Sequence, residues 1–478
     1  MFVQYVHATP AALFPAVPAG RSMSGAALAT AVPCARPRVL TLAWPLLVEL
    51  CLTVAIGVIG TALAARISDT SGAAFSIANQ ISVTLFLLFR IIGSGIGVVV
   101  TQNLGSGRRA VANQVALAML GASTWLGVVT ASLALAGAAP LMQLMHAPAT
   151  VLPLAVPLLR TLALAMLFDA WNASMAGVMR AHLRTRDTLL VLVAMHTCHL
   201  TLALPLMRGW GPLPALGLPG YALALAASRV LALALHLLLW RRHLGIVPAA
   251  HDWWQLRRRE LAAVLHYGVP AAAENIAWRL SFMASVAAAG VLGASALATH
   301  AYVQQIGAMV VMFSLANAFA VEILVGHMIG AGELRAAQHL VRHALLRGLM
   351  ISGGLASCVA LAGPWLLGCF THDQAIIAGG SLLLWLTVLQ ELGRTSNLVV
   401  INALRAAGDA RYPVMAGAAS MALVLAGGSW LLGIHFGLGL KGLWIAYAAD
   451  ECLRGVLMWR RWATQAWVPH ARAARRRL

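Results

Sequence analysis

The feature that most restricts this chain is a duplication inside an almost continuously apolar sequence. Pro45-Leu46-Leu47-Val48-Glu49 returns as Pro270-Ala271-Ala272-Ala273-Glu274, an offset of 225 residues. The offset then holds without a gap as far as Ala112 and Ala337. Within it Gln80-Ile81 falls on Gln305-Ile306, and Gly105-Ser106-Gly107 on Gly330-Ala331-Gly332. Further on, Asn172 meets Asn397 and Arg180-Ala181 meets Arg405-Ala406. Two related halves must build two equivalent units, each with one carboxylate early in its first helix.

Composition says what those units are made of. Of 478 residues, 61% are hydrophobic and 10% charged, with mean hydropathy +0.83. A soluble domain carries roughly a quarter charged residues, so this is an integral membrane protein. Crossing a bilayer takes about 20 apolar residues per helix. The runs are too long and too uniform for barrel strands, which alternate over roughly 10 residues. The expected fold is all-α, with twelve transmembrane helices in two pseudo-symmetric six-helix lobes. Predicted spans are 39–65, 76–101, 113–138, 152–179, 188–207 and 218–240, then 263–290, 300–327, 340–363, 376–404, 412–434 and 440–460.

The net charge of +19 is almost wholly arginine, Lys441 being the only lysine. The arginines lie between apolar runs, so they report topology rather than nucleic-acid binding. One set of loops holds Arg108, Arg109, Arg180, Arg184, Arg186, Arg241, Arg242, Arg257 to Arg259, Arg335, Arg342, Arg405 and Arg411. The alternate set holds only Arg66, Arg208 and Lys441. Positive-inside bias therefore places both termini in the cytoplasm, and the two lobes run parallel. Residues 1–36 read as a disordered cytoplasmic tail, 37–242 as the first lobe, 263–462 as the second and 463–478 as a basic tail. The linker, 243–262, carries Trp253-Trp254 beside Arg257-Arg258-Arg259, the pattern of a segment lying in the cytoplasmic interface. The six cysteines are scattered without metal spacing.

The Pro-x-x-x-Glu opening of both halves leads to further motifs. Ala301-Tyr302-Val303-Gln304-Gln305-Ile306 precedes Gly326-His327-Met328-Ile329-Gly330-Ala331-Gly332-Glu333, and Asn402-Ala403-Leu404-Arg405-Ala406-Ala407-Gly408-Asp409 leaves the tenth span. In order and spacing, over roughly residues 38 to 462, these resemble the multidrug and toxic compound extrusion (MATE) transporters. The resemblance implies two six-helix lobes in a V, a cavity open alternately to each side, and export of organic, often cationic compounds driven by Na⁺ or H⁺. No cofactor is expected beyond that transported ion. The partners expected are a small organic substrate and the bilayer of a bacterial inner membrane, for a monomer that binds no nucleic acid. The chain departs from the family at three places. Gly60 stands where many members carry a first-span aspartate, Arg394 where many carry a tenth-span aspartate, and Trp278 where a second-half glutamate is usual.

The candidate site residues follow from the cost of a charge in the membrane, which places it in the bundle interior with a partner or a role. Glu49 lies roughly 15 Å into its helix, near the middle of a core about 30 Å thick, and Glu274 repeats it. Either could exchange a proton or hold a cationic compound, or be a structural acid bonded to a helix end or to a glutamine of the same lobe such as Gln80 or Gln305. Asp169 and Asn172 share a face of the fourth span, and their counterparts are Arg394 and Asn397. An acid in one lobe thus aligns with a base in the other, unless Asp169 is neutralised by Arg160 or Arg90. Glu391 and Arg394, three apart, read as an intrahelical ion pair. Glu322 replaces Gly97 of the first half, either lining a cavity or else snorkelling or paired. His196 and His199 offer a proton relay or polar packing, and two imidazoles are too few for a closed metal site. Trp171, Trp278 and Trp385 could stack flat cations or simply pack helices. The leading reading is a cation-coupled exporter. A flippase of a lipid-linked or polyanionic precursor would need a basic cavity, for which Arg90, Arg279 and Arg394 are candidates. An intramembrane enzyme lacks a compact acid, base or metal constellation.

Overall fold

The computed structural model describes residues 37–209 and 214–477. The expected tail over 1–36 lies outside the described residues. Arg38–Leu478 forms one compact unit. Its long helices, in chain order, are α1 (Val39–Ala65), α2 (Asp69–Gly105), α3 (Arg109–Ala136), α4 (Leu152–Ala181), α5 (Thr185–Arg208) and α6 (Leu218–Leu244). The second set is α7 (Arg258–Val291), α8 (Ala294–Ala331), α9 (Leu334–Leu361), α10 (Gln374–Ala406), α11 (Arg411–His435) and α12 (Gly439–Ala463). A terminal helix, α13 (Val468–Arg477), follows.

Of the twelve helices α1 to α12, ten are long and apolar enough to cross a membrane. The other two, α7 and α12, are long enough at 34 and 25 residues but not apolar enough. Both coincide with expected spans; Glu274 and Arg279 dilute one, and Asp450, Glu451 and Arg454 the other. The outer faces expose large apolar side chains, Leu190, Met350, Leu361 and Trp365 among them, as helices solvated by lipid do. The helices run on through Pro45 and Pro270, whereas α2 breaks at Leu87-Leu88, between helical stretches ending at Phe86 and resuming at Phe89.

Local chemistry sets the ends. Ser68 caps α2 by accepting from the Ser71 amide at 3.0 Å, and Asp373 caps α10 by accepting from the amides of Ala375 and Ile376. Gly107 and Gly332, repeat equivalents, close α2 and α8 at φ of 79° and 80°, a conformation that favours glycine.

The lobes meet at the arginine-rich end, along a seam that obeys the repeat. The Nε2 of Gln102 donates to the carbonyl of Ala406 at 2.8 Å, and Nε2 of His327 donates to the carbonyl of Ala181 at 2.8 Å. Gln102 and His327 are 225 residues apart, and so are Ala181 and Ala406. Gly105 abuts the His327 backbone, and its equivalent Gly330 abuts the Gln102 backbone. Thr101 faces Gly326, its own equivalent, so the pseudo-two-fold axis passes between them. Glycine is required at these places because a Cβ would overlap the facing chain. Leu42, Ala43 and Leu46 of α1 pack with Ala316, Ala320 and Leu324 of α8 to extend the same seam. Nearer the opposite end, α1 exposes Val58 and Ile59, and α7 exposes Leu280 and Met283.

Candidate functional site

Each lobe holds its first-helix glutamate against an arginine at the end of its fourth helix. Glu49 Oε2 lies 3.3 Å from Arg180 Nη1 and its other oxygen accepts from the Thr188 hydroxyl. Glu274 pairs with Nη2 of Arg405. Both acids and both arginines obey the offset, so the ion pair is itself duplicated. Of the partners expected for a structural acid, glutamine is replaced by arginine. Gln80 and Gln305 are not the groups that hold the two acids, and Gln305 is exposed. Thr188 is matched by Pro413, so Glu274 has no equivalent hydroxyl.

Inside the first lobe, Asp169 Oδ1 sits 2.6 Å from Arg229 Nε on α6, an ion pair whose N–H direction is off line for a hydrogen bond. The expected partner Arg160 is exposed instead, and the Arg90 side chain lies outside the described residues. Asn172 donates to the Arg229 carbonyl at 2.9 Å and its Oδ1 meets His236 Nδ1 at 2.9 Å. His196 and His199 are buried, and neither ring nitrogen of either has a hydrogen-bond partner. The His199 ring stands edge-on to Tyr221 at 4.6 Å. Tyr221 also explains Gly60. A Cβ there would overlap the Tyr221 hydroxyl and come within 2.7 Å of Phe75 Cζ. Two aromatic rings occupy the space an aspartate would need.

The second lobe holds a larger cluster between α10 and α12. Arg394 Nη1 contacts Glu391 at 2.6 Å, which bears out the intrahelical pair, and its Nε donates to Glu451 at 3.0 Å. Arg454 contacts Asp450 at 2.6 Å and Glu451 at 3.0 Å. Asn397 donates to Glu451 at 3.3 Å, and the Ser420 hydroxyl donates to Asp450 at 2.6 Å. Three carboxylates therefore share two guanidiniums. One oxygen of Glu391, Oε2, is buried without a hydrogen-bond partner, and its side chain is 0% exposed. Sequence reasoning named Glu391, Arg394 and Asn397 but missed Asp450, Glu451 and Arg454. Two signals were available. Asp450 and Arg454 are four apart, one helical turn, and Arg454 is the repeat equivalent of Arg229.

The remaining candidates lie apart from both clusters. Glu322 is half-buried in α8, with Oε1 4.0 Å from where a Cβ of Gly97 would stand. Trp171 donates to the Thr124 hydroxyl at 2.8 Å and meets the Trp253 ring edge-on at 5.1 Å. The linker thus sends one tryptophan against the first lobe, and Trp254 is exposed. Trp278 stacks on Phe282, and Trp385 is exposed.

A duplicated helical membrane protein with ion pairs buried inside each lobe and a seam closed at one end belongs to the class of multi-pass transporters. The family is settled by comparison: the MatE family pattern matches residues 45–204 and 270–431, and the chain belongs to that family. The uncharacterized transporter YisQ of Bacillus subtilis is 30% identical over 428 residues, covering 90% of this chain and 94% of YisQ. The probable multidrug resistance protein NorM of Chromobacterium violaceum is 25% identical, covering 87% and 91%. A crystal structure of MATE in the bent conformation superposes with a TM-score of 0.83 at 16% identity, over 91% of this chain and 96% of that one. The protein is a membrane transporter and not an enzyme.

Proposed function

We propose that the chain is a cation-coupled antiporter exporting organic, cationic compounds by alternating access across a bacterial inner membrane, with both termini cytoplasmic. One observation carries this reading: the second-lobe cluster has one more carboxylate than guanidinium. An uncompensated buried charge costs several kcal/mol, so the third carboxylate takes up a cation whenever the cluster is closed to water. Glu391, with its unpartnered oxygen, is the group assigned to bind it. Two guanidiniums already crowd the site, and a metal ion beside them would be repelled. We therefore read the coupling ion as a proton, with no other cofactor. Glu274, Glu49 and Asp169 each have an arginine partner and hold helices in register in this reading.

The test is dye efflux from vesicles under separately imposed proton and sodium gradients. Efflux driven by the proton gradient at clamped sodium is expected, and lost in Glu391→Gln. Transport that follows a sodium gradient at clamped pH refutes the proton assignment. Wild-type efflux by Glu391→Gln refutes the site.

A further inference from the structure

Beside the seam, at the arginine-rich end of the first lobe, lies a cavity of about 360 Å³. Five of its lining residues are basic: Arg109, His182, Arg184, His243 and His327. Arg109, His182 and Arg184 come from the first lobe, and His243 from the end of α6 where the linker begins. His327 comes from the second lobe and reaches across the seam to the Ala181 carbonyl. Arg109 spends one nitrogen on the Leu244 carbonyl at 3.2 Å. His182 fixes Nδ1 on the Val178 carbonyl at 2.9 Å, while its Nε2 is buried without a hydrogen-bond partner. The nearby carboxylate, Asp187, is engaged by His243 at 2.8 Å and by Arg184 at 3.8 Å.

Neither the efflux reading nor the symmetry of the fold calls for this cavity. The repeat equivalents of Arg109, His182 and Arg184 are Leu334, Ala407 and Asp409. In the second lobe the corresponding surface is covered by α13: the Arg475 guanidinium lies over Gly332, and Ala474 packs by Gly408. In the second lobe the arginines at this level lie in the covering helix or pair with an acid, as Arg461 does with Asp409 at 2.8 Å, whereas the first lobe leaves the space open.

We propose that this cavity binds a phosphate-bearing anion, and that the bound anion holds the seam closed. Guanidiniums fork phosphate oxygens in bidentate geometry. Each lining imidazole has one nitrogen engaged with Val178, Asp187 or Ala181, so it adds a donor on its other nitrogen when the bound anion draws a second proton onto the ring. The volume suits a phosphate group with part of what it is attached to. A ligand touching both Arg109 and His327 is held by both lobes, so it binds the closed seam more tightly than the open one and shifts the equilibrium toward closure.

The experiment uses the full chain in phosphatidylcholine nanodiscs, with two arms. One titrates inorganic phosphate by calorimetry at constant ionic strength; the other raises the phosphatidylglycerol fraction without phosphate and reads bound lipid by native mass spectrometry. Saturable binding in either arm supports the site, and the arm that responds names the source as free phosphate or lipid headgroup. The double variant Arg109→Gln/Arg184→Gln is expected to weaken binding at least tenfold. His182→Leu, which keeps both arginines, is expected to weaken it several-fold and serves if the double variant does not fold. Arg335→Gln/Arg342→Gln, on the same face of the other lobe, is expected to bind as wild type. Spin labels at Arg108→Cys and Arg335→Cys, in a background without native cysteines, should show shorter seam distances with ligand. Absence of saturable binding in both arms, or binding that the cavity variants retain, overturns the site. Binding that leaves the distances unchanged overturns the coupling to closure.

Discussion

The two lobes share a scaffold and differ in how their charge is balanced. Each holds a first-helix glutamate on an arginine 131 residues away, Glu49 on Arg180 and Glu274 on Arg405. Deeper in, the described side chains of the first lobe pair one acid with one base, Asp169 with Arg229. The second has Glu391, Asp450 and Glu451 around Arg394 and Arg454. The asymmetry continues at Gly60. Its equivalent in the second lobe is Ser285, whose hydroxyl shares a hydrogen bond with Ser429 at 2.9 Å. One lobe has filled the position with aromatic rings; the other keeps a polar group there. Duplication supplied the frame, and divergence left the excess negative charge in one copy.

The most damaging way to break the comparison is to remove an arginine. Arg394→Met leaves Glu391 and Glu451 short of a partner and should cost about 3–5 kcal/mol, seen as a large fall in melting temperature in detergent. Arg229→Met should cost less, because Asp169 is 20% exposed and can take a proton. Equal losses would show that the lobes do not differ in charge burial. Next in size are the acids. Glu391→Gln should lower dye efflux by about tenfold or more, roughly a 1.4 kcal/mol loss of coupling, at unchanged membrane abundance. Asp169→Asn should lower efflux less. A stronger effect at Asp169 would move the coupling ion to the first lobe. Gly60→Ser, forced against Tyr221 and Phe75, should destabilise by about 1–3 kcal/mol, whereas Ser285→Ala should lose about 1 kcal/mol for one hydrogen bond. Melting of the two variants side by side decides whether the aromatic fill is rigid.

The frame was legible because apolar length and the 225-residue offset survive at the level of residue type. The predicted spans fall on the observed helices, including the charged α7 and α12. The partners were not legible, because an ion pair joins residues from different helices and no periodicity reports which helices touch. Glu49, Glu274, Arg180 and Arg405 were all marked by the repeat, yet only packing joins them into pairs. Asp169 has Arg229 rather than Arg160 for the same reason: α4 and α6 are neighbours, and the Arg160 side chain points outward. Asp450-Glu451 and Arg454 were within reach of the offset, because Arg454 is the repeat equivalent of Arg229 and lies one turn from Asp450.

The seam tests the opposite side of the comparison, where the lobes are most alike. Gln102 and His327 are equivalent, and each reaches across to an equivalent carbonyl at the same 2.8 Å. If the bond is what the repeat preserves, His327→Gln keeps it, since glutamine does this job in the other half. His327→Leu removes the donor and leaves the Ala181 carbonyl without it. That should cost about 1 kcal/mol of seam closure, roughly a fivefold rise in the open population. Gln102→Leu should match it, as symmetry requires. Distance measurements between labels on the two lobes read all three variants in anion-free buffer. An open population that rises with His327→Leu but not with Gln102→Leu would show that the seam, like the ion clusters, has already diverged.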